Sequence, residues 1–184
     1  NPMVLRGKQL FYNASDVRIS RDSYLSCASC HLDGDQDGRI WDFTDRGEGL
    51  RNTISLLGRS GNGHGRVHWS GNFDEIQDFE NDIRGAFGGR GLMADAAFFD
   101  GTRSQPLGDP KAGSSADLDA LAAYVTSLAS VDPSPHRLAN GQLTAQAVAG
   151  KQLFDELQCA TCHGGPGFTN SPLGVLHDVG TAQP

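Results

Sequence analysis

A five-residue string occurs twice in this chain, and each time it leads into two cysteines and a histidine. Gly7-Lys8-Gln9-Leu10-Phe11 precedes Cys27-Ala28-Ser29-Cys30-His31, and Gly150-Lys151-Gln152-Leu153-Phe154 precedes Cys159-Ala160-Thr161-Cys162-His163. The step from phenylalanine to first cysteine is 16 residues in the first copy and 5 in the second. One unit is used twice, with a loop inserted in the first copy, and self-similarity of this kind predicts two related segments. All four cysteines of the chain fall inside the two motifs, so none remains for a structural disulfide.

The spacing of each motif suits covalent haem attachment. Two thiols three positions apart can add to the two vinyl groups of one porphyrin, and the adjacent histidine then offers its imidazole to the iron from one face. Cys27, Cys30, Cys159 and Cys162 are therefore the expected attachment points of two haem c groups, with His31 and His163 as proximal iron ligands. Two other chemistries use the same residue types. Four thiolates and two imidazoles could bind zinc, but structural zinc pairs usually sit within one small knuckle and these motifs lie far apart. A redox dithiol is the other.

The second iron ligands must come from the four remaining histidines, His64, His68, His136 and His177, or from Met3 and Met93. His68 is the expected distal ligand of the first haem and His64 the runner-up, because Gly63-His64-Gly65-Arg66-Val67-His68-Trp69 is a glycine-rich segment able to fold over a haem face. Met93 is a weaker candidate, since a methionine there is more often packing. His177 lies 14 residues after His163, close for a distal ligand of the second haem.

Composition narrows the function classes. With 15 Lys and Arg against 22 Asp and Glu, the formal net charge is -7, which lacks the basic footprint that nucleic-acid binding requires. No apolar run reaches the roughly 18 residues of a membrane helix. Hydrophobic residues make up 38%, a thin supply for two small cores, and a buried macrocycle would add apolar bulk.

Between the motifs lies a Gly- and Asp-rich stretch from about Asp33 to Pro110, expected as loops with short helices, one of them over 73–83. Leu118, Leu121, Ala122, Val125 and Leu128 form a stripe at helical spacing, and Ser115 or Asp117 is placed to cap its start. Asp132-Pro133-Ser134-Pro135 reads as a linker. The expected organisation is a first haem domain over 1–131, a linker over 132–142 and a second haem domain over 143–184. The fold class expected is mostly α, two cytochrome-c-like domains in tandem. The second lacks a closing helix, so it is expected to be completed by the remainder of a longer polypeptide or by another chain.

Three further features carry expectations. Asp33-Gly34-Asp35-Gln36-Asp37-Gly38 resembles the front of a calcium loop, with Asp33, Asp35 and Asp37 as candidate ligands and Thr44 where the bidentate Glu would stand. Arg51, after a Gly-rich loop, is a candidate partner for a haem propionate. Asp74, Glu75, Asp78, Glu80 and Asp82 crowd one stretch and read as a solvated acidic face.

Taken together these residues resemble the bacterial di-haem cytochrome c peroxidase superfamily, which includes the methylamine-utilisation di-haem enzymes. The likeness runs through both GKxLF strings, Leu25-Ser26-Cys27-Ala28-Ser29-Cys30-His31, Leu50-Arg51-Asn52-Thr53, Trp69-Ser70-Gly71, Gly164-Gly165-Pro166-Gly167-Phe168-Thr169 and Val179-Gly180. It departs in lacking a histidine between Asp33 and Leu50, where the peroxidases carry a displaceable ligand. It departs again at Asn72 and Ser70, where a WDGR pattern would put Arg and Asp. The resemblance implies two haem c groups, a location in the periplasm or outside the cell, and a redox partner protein. It offers Gln77 and Glu80 as the nearest counterparts of the peroxide-handling residues. Two functions follow as expectations: electron transfer between redox partners, or a peroxidase-type oxidoreductase with one ligand-labile haem.

Overall fold

Asn1 opens the first helix, its side chain accepting the Met3 amide at 3.0 Å, with Pro2 in the first helical position where a missing N–H costs nothing. In this computed structural model, which describes residues 1–44 and 48–178, that helix is α1 (Pro2–Tyr12). It crosses α4 (Ala116–Ser127), capped by Ser115, whose hydroxyl accepts the Leu118 amide at 3.3 Å. The crossing is close because of Gly7: a Cβ there would lie 1.8 Å from the Ala120 carbonyl oxygen. Phe11 then meets Tyr124 edge-on, ring centroids 5.0 Å apart. Ionic contacts fix the same junction. Asp117 accepts from Arg6 Nε and Nη2 and from Arg18 Nη1, each at 2.8 Å, and the Arg6 bonds above all hold its carboxyl down to about 2.

The buried apolar core is built on this crossing. Leu10, Phe11, Ile19, Ile76, Ile83, Leu92, Met93, Phe98, Leu118, Leu121, Tyr124 and Val125 form one cluster, and Cys27, Ala28 and Leu56 pack against it. Around it run two strands, β1 (Ile40–Phe43) and β2 (Gly49–Asn52), antiparallel with Trp41 opposite Arg51. Two short helices follow, α2 (Phe79–Arg84), entered through a 3₁₀ turn at Ile76–Asp78, and α3 (Asp95–Phe98). A buried ion pair, Lys111 Nζ to Asp78 Oδ1 at 2.6 Å, ties the turn before α2 to the loop before α4. The second GKQLF string lies in α5 (Ala145–Glu156), capped by Thr144.

The architecture corrects the expected fold class. The described residues form a small mixed α/β structure, with five helices and a two-stranded sheet, and do not resolve into mostly α, tandem cytochrome-c-like domains. Two physical reasons account for this. The Gly/Asp-rich stretch is not all loop: Ile40–Phe43 alternates exposed and half-buried side chains, the period-two pattern of a strand. Asp37 then braces the hairpin, accepting from Trp41 Nε1 at 2.9 Å and Thr53 Oγ1 at 2.8 Å. The two GKQLF helices also differ in their packing. α5 buries no residue, and a Cβ on Gly150 would meet nothing within 4 Å. Leu153 and Leu157 are exposed. The expected helix over 73–83 begins later, at Ile76, and the Val179-Gly180 resemblance lies outside the described residues.

The two equivalent glycines therefore respond differently to the same change. Gly7→Ala should cost about 3 kcal/mol or more by overpacking against the α4 backbone. Gly150→Ala should be neutral or stabilise by up to ~1 kcal/mol through helix propensity. Urea unfolding of the two variants beside the wild type checks both.

Candidate functional site

Both cysteine motifs adopt one local geometry. Cys27–Ser29 and Cys159–Thr161 are single 3₁₀ turns. The amides of Cys30 and His31 donate to the Cys27 carbonyl at 3.3 and 2.9 Å, and those of Cys162 and His163 donate to the Cys159 carbonyl at the same 3.3 and 2.9 Å. The turn places two thiols and an imidazole at successive corners of one short loop. Its entry differs between copies: Ser26 is extended, with its amide donating to Ser29 Oγ at 3.0 Å, whereas Gln158 is left-handed at φ +57°.

All four thiols are free. Burial pushes the Cys27 thiol up to about 12, and burial, then the charge of Asp37, raises Cys30 against the opposing pull of Arg39. A dithiol redox catalyst needs the opposite, a thiol acidified by its surroundings. Among the described residues no three His, Cys, Asp or Glu side chains group to hold a metal ion. The cysteines are thus not gathered for zinc. Asp33, Asp35 and Asp37 are not gathered for calcium either, and Asp33 accepts the Tyr12 hydroxyl at 3.2 Å while Asp37 braces the hairpin.

The imidazoles test whether a haem fits. His31 Nδ1 is buried and has no hydrogen-bond partner, an omission that costs about 1–3 kcal/mol in a protein-only site. Burial chiefly lowers the basicity of His31. The backbone at Asp35 and Ile54 and the charge of Asp37 oppose that shift without giving Nδ1 a bond, and the nearby His68 adds to it. A neutral, buried imidazole is the form that ligates iron. His163 Nδ1 lies 3.2 Å from the Phe168 carbonyl oxygen. A backbone partner on one ring nitrogen orients the other toward a metal. The residues of both motifs fit a covalently attached haem.

His68, when protonated, lowers the basicity of His31 through its charge. It is half-buried, with Nδ1 2.7 Å from Asn72 Oδ1 and Nε2 3.5 Å from Asp82 Oδ2. Its ring lies against Phe73 and Phe79, with centroids at 4.4 and 4.8 Å. Its φ of +67° is a conformation that non-glycine residues enter rarely and mostly where surroundings enforce it. Asn72 and Asp82 were not among the expected site residues, although Asn72 follows His68 by four positions.

The other candidates are placed elsewhere. The His64 ring sits 3.4 Å from where a Cβ on Gly167 would be, beside the loop after the second motif and not the first. Arg51 Nη1 donates to the Leu50 carbonyl at 2.8 Å, on the hairpin. Gln77 Nε2 donates to Asp119 Oδ1 at 2.9 Å. Glu80 is fully buried, accepting from Arg84 Nε and from the amides of Leu92 and Met93 at 2.8, 2.9 and 3.0 Å. It anchors a loop and is committed to that role. Met93 is in the core, Met3 is exposed, and His177 Nε2 contacts Asn170 Nδ2 at 2.6 Å.

The chain is 30% identical over 188 aligned residues to hydrazine synthase subunit gamma of Kuenenia stuttgartiensis, an alignment covering 94% of this chain and 47% of that protein. The chain thus spans about half the length of this relative. The likeness is compatible with a redox function. No protein-family profile matches the chain, and no solved structure does.

One backbone contact joins the segment bearing His64 and His68 to the loop after the second motif. Gly65, at φ +96°, would place a Cβ 2.6 Å from the backbone of Ser171 and Pro172. Gly65→Ala should push these segments apart, at about 1–3 kcal/mol. Amide exchange at Phe168 and Thr169 should quicken while exchange in α1 and α4 stays unchanged.

Proposed function

We propose that this chain is a di-haem c-type cytochrome that transfers electrons between redox partners outside the cytoplasm. The observation that carries this reading is the pair of CxxCH turns of matching geometry, the first with a buried His31 nitrogen lacking a protein partner. Haem c in these sites would supply a one-electron iron centre.

The residues divide the work as follows. Cys27 and Cys30, and Cys159 and Cys162, give their thiols to covalent attachment, and His31 and His163 present imidazoles from the adjacent corner. In the first site His68 would offer the iron a second imidazole; its Nδ1 lies 2.7 Å from Asn72 Oδ1 and its ring packs against Phe73 and Phe79, which hold the side chain in place. Haem held by His31 and His68 would supply one-electron transfer with no position for a substrate. Phe73 and Phe79 would limit water there.

A peroxidase-type reaction asks for an acid–base group beside an open iron face. Glu80 and Gln77 are both committed to structural bonds, which favours electron transfer. Covalent haem attachment takes place outside the cytoplasm, hence the proposed location. Among the described residues no helix is long and apolar enough to cross a membrane. The likeness to a subunit of hydrazine synthase supports a role beside other redox chains. The exposed side chains of Leu153, on α5, and Leu157, just after it, are a surface for the remainder of the same polypeptide or for another chain.

Replacing His68 tests the ligand assignment. His68→Ala should convert one low-spin haem to high spin in the visible and electron paramagnetic resonance spectra, leaving haem content unchanged. An unaltered spectrum would remove His68 from the iron.

A further inference from the structure

Several arginines in this chain meet carboxylates. Arg6 and Arg18 pair with Asp117, Arg18 also with Asp16, Arg84 with Glu80 and Asp95, and Arg103 with Asp100. Arg59 is different. It is half-buried, and its Nε donates to the Ser55 carbonyl at 2.8 Å. No carboxylate among the described residues forms an ion pair with it. Taking a guanidinium out of water without a counter-charge is costly, and burial accordingly depresses the basicity of Arg59, whereas carboxylate partners raise that of Arg6, Arg18 and Arg84.

Its location gives the missing anion a source. The Leu56 amide donates to the Gly34 carbonyl at 2.9 Å, three residues beyond His31. Leu56 packs against the cluster that also receives Cys27 and Ala28, and the Ile54 backbone lies beside His31. The Gly58 amide is fixed to the Leu128 carbonyl at 2.9 Å. The segment leading to Arg59 is therefore pinned beside the first motif at Ile54 and Leu56 and to the end of α4 at Gly58. Haem bears two propionate carboxylates, and a guanidinium fork matches a carboxylate with two parallel hydrogen bonds.

We propose that Arg59, and not Arg51, is the propionate anchor of the first haem site. The inference rests on the haem reading given above. Arg59 is a positioning residue: it holds the edge of the macrocycle and places a positive charge near the iron, which favours the reduced state.

The test uses the mature, haem-loaded protein. Intact mass of the wild type first establishes whether haem is attached, so that failure of the haem reading is seen separately from failure of this one. Spectroelectrochemical titration then compares wild type, Arg59→Gln and Arg59→Lys. Arg59→Gln should lower one of the two midpoints, making reduction about tenfold less favourable, ~59 mV for one electron, and leave the other in place. Arg59→Lys keeps the charge and should show a smaller shift of that same midpoint. Two unmoved midpoints, or equal shifts in both, overturn the proposal. If Arg59→Gln does not mature, Arg59→Lys decides. A smaller fall in one midpoint with the other unmoved upholds the anchor, and two unmoved midpoints, or failure to mature, overturn it.

Discussion

The close approach of α1 to α4 is the contact on which the rest depends. It exists because Gly7 has no side chain where Ala120 brings its carbonyl. That proximity lets Phe11 and Tyr124 meet and brings Arg6 within reach of Asp117. The residues that follow α1 are drawn in behind it, so that Ile19 is buried and Cys27 packs on the same core. The first motif is thus held by a core assembled from both ends of the first 127 residues. Dispersion and burial of apolar surface supply the attraction, and the Asp117 cluster selects the register.

The second motif has the same turn on a different support. Gly150 faces open space, and Phe154 leans on Phe168, ring centroids 6.0 Å apart, in place of an α4-like partner. His163 is oriented by the Phe168 carbonyl, and His64 reaches over from the first half of the chain to Gly167. The two sites consequently differ in setting: the first is enclosed, with His68 close at hand, and the second is exposed. A difference in burial between otherwise alike haems is a means of separating their potentials.

Much of this was legible in the residues, and the rest was hidden for identifiable reasons. The 3.6-residue stripe of Leu118, Leu121 and Val125 marks α4, and Ser115 or Asp117 marks its start, of which Ser115 is the cap, because both signals are local. The GKQLF strings marked α1 and α5, yet their periodicity cannot tell whether the apolar face finds a partner, and α5 does not. The hairpin was missed because each strand is four residues long, set among glycines and aspartates. The acidic run from Asp74 to Asp82 reads as solvated, whereas Asp78, Glu80 and Asp82 are buried. Their partners, Lys111, Arg84, the Leu92 and Met93 amides and His68, lie too far along the chain, or too close in kind to surface pairs, to announce themselves. His64 and His68 are four residues apart and still lie in different surroundings, His64 beside Gly167 and His68 against Phe73 and Phe79, a long-range outcome that no local pattern encodes.

Covalent attachment of two haems is the central claim, and the intact mass of the mature protein, after acid-organic extraction to strip any loosely bound porphyrin, tests it most directly. The account predicts the polypeptide mass plus two haem groups, with absorbance of a c-type haem retained by the protein. The bare polypeptide mass, with the porphyrin absent or removed by extraction, would contradict it.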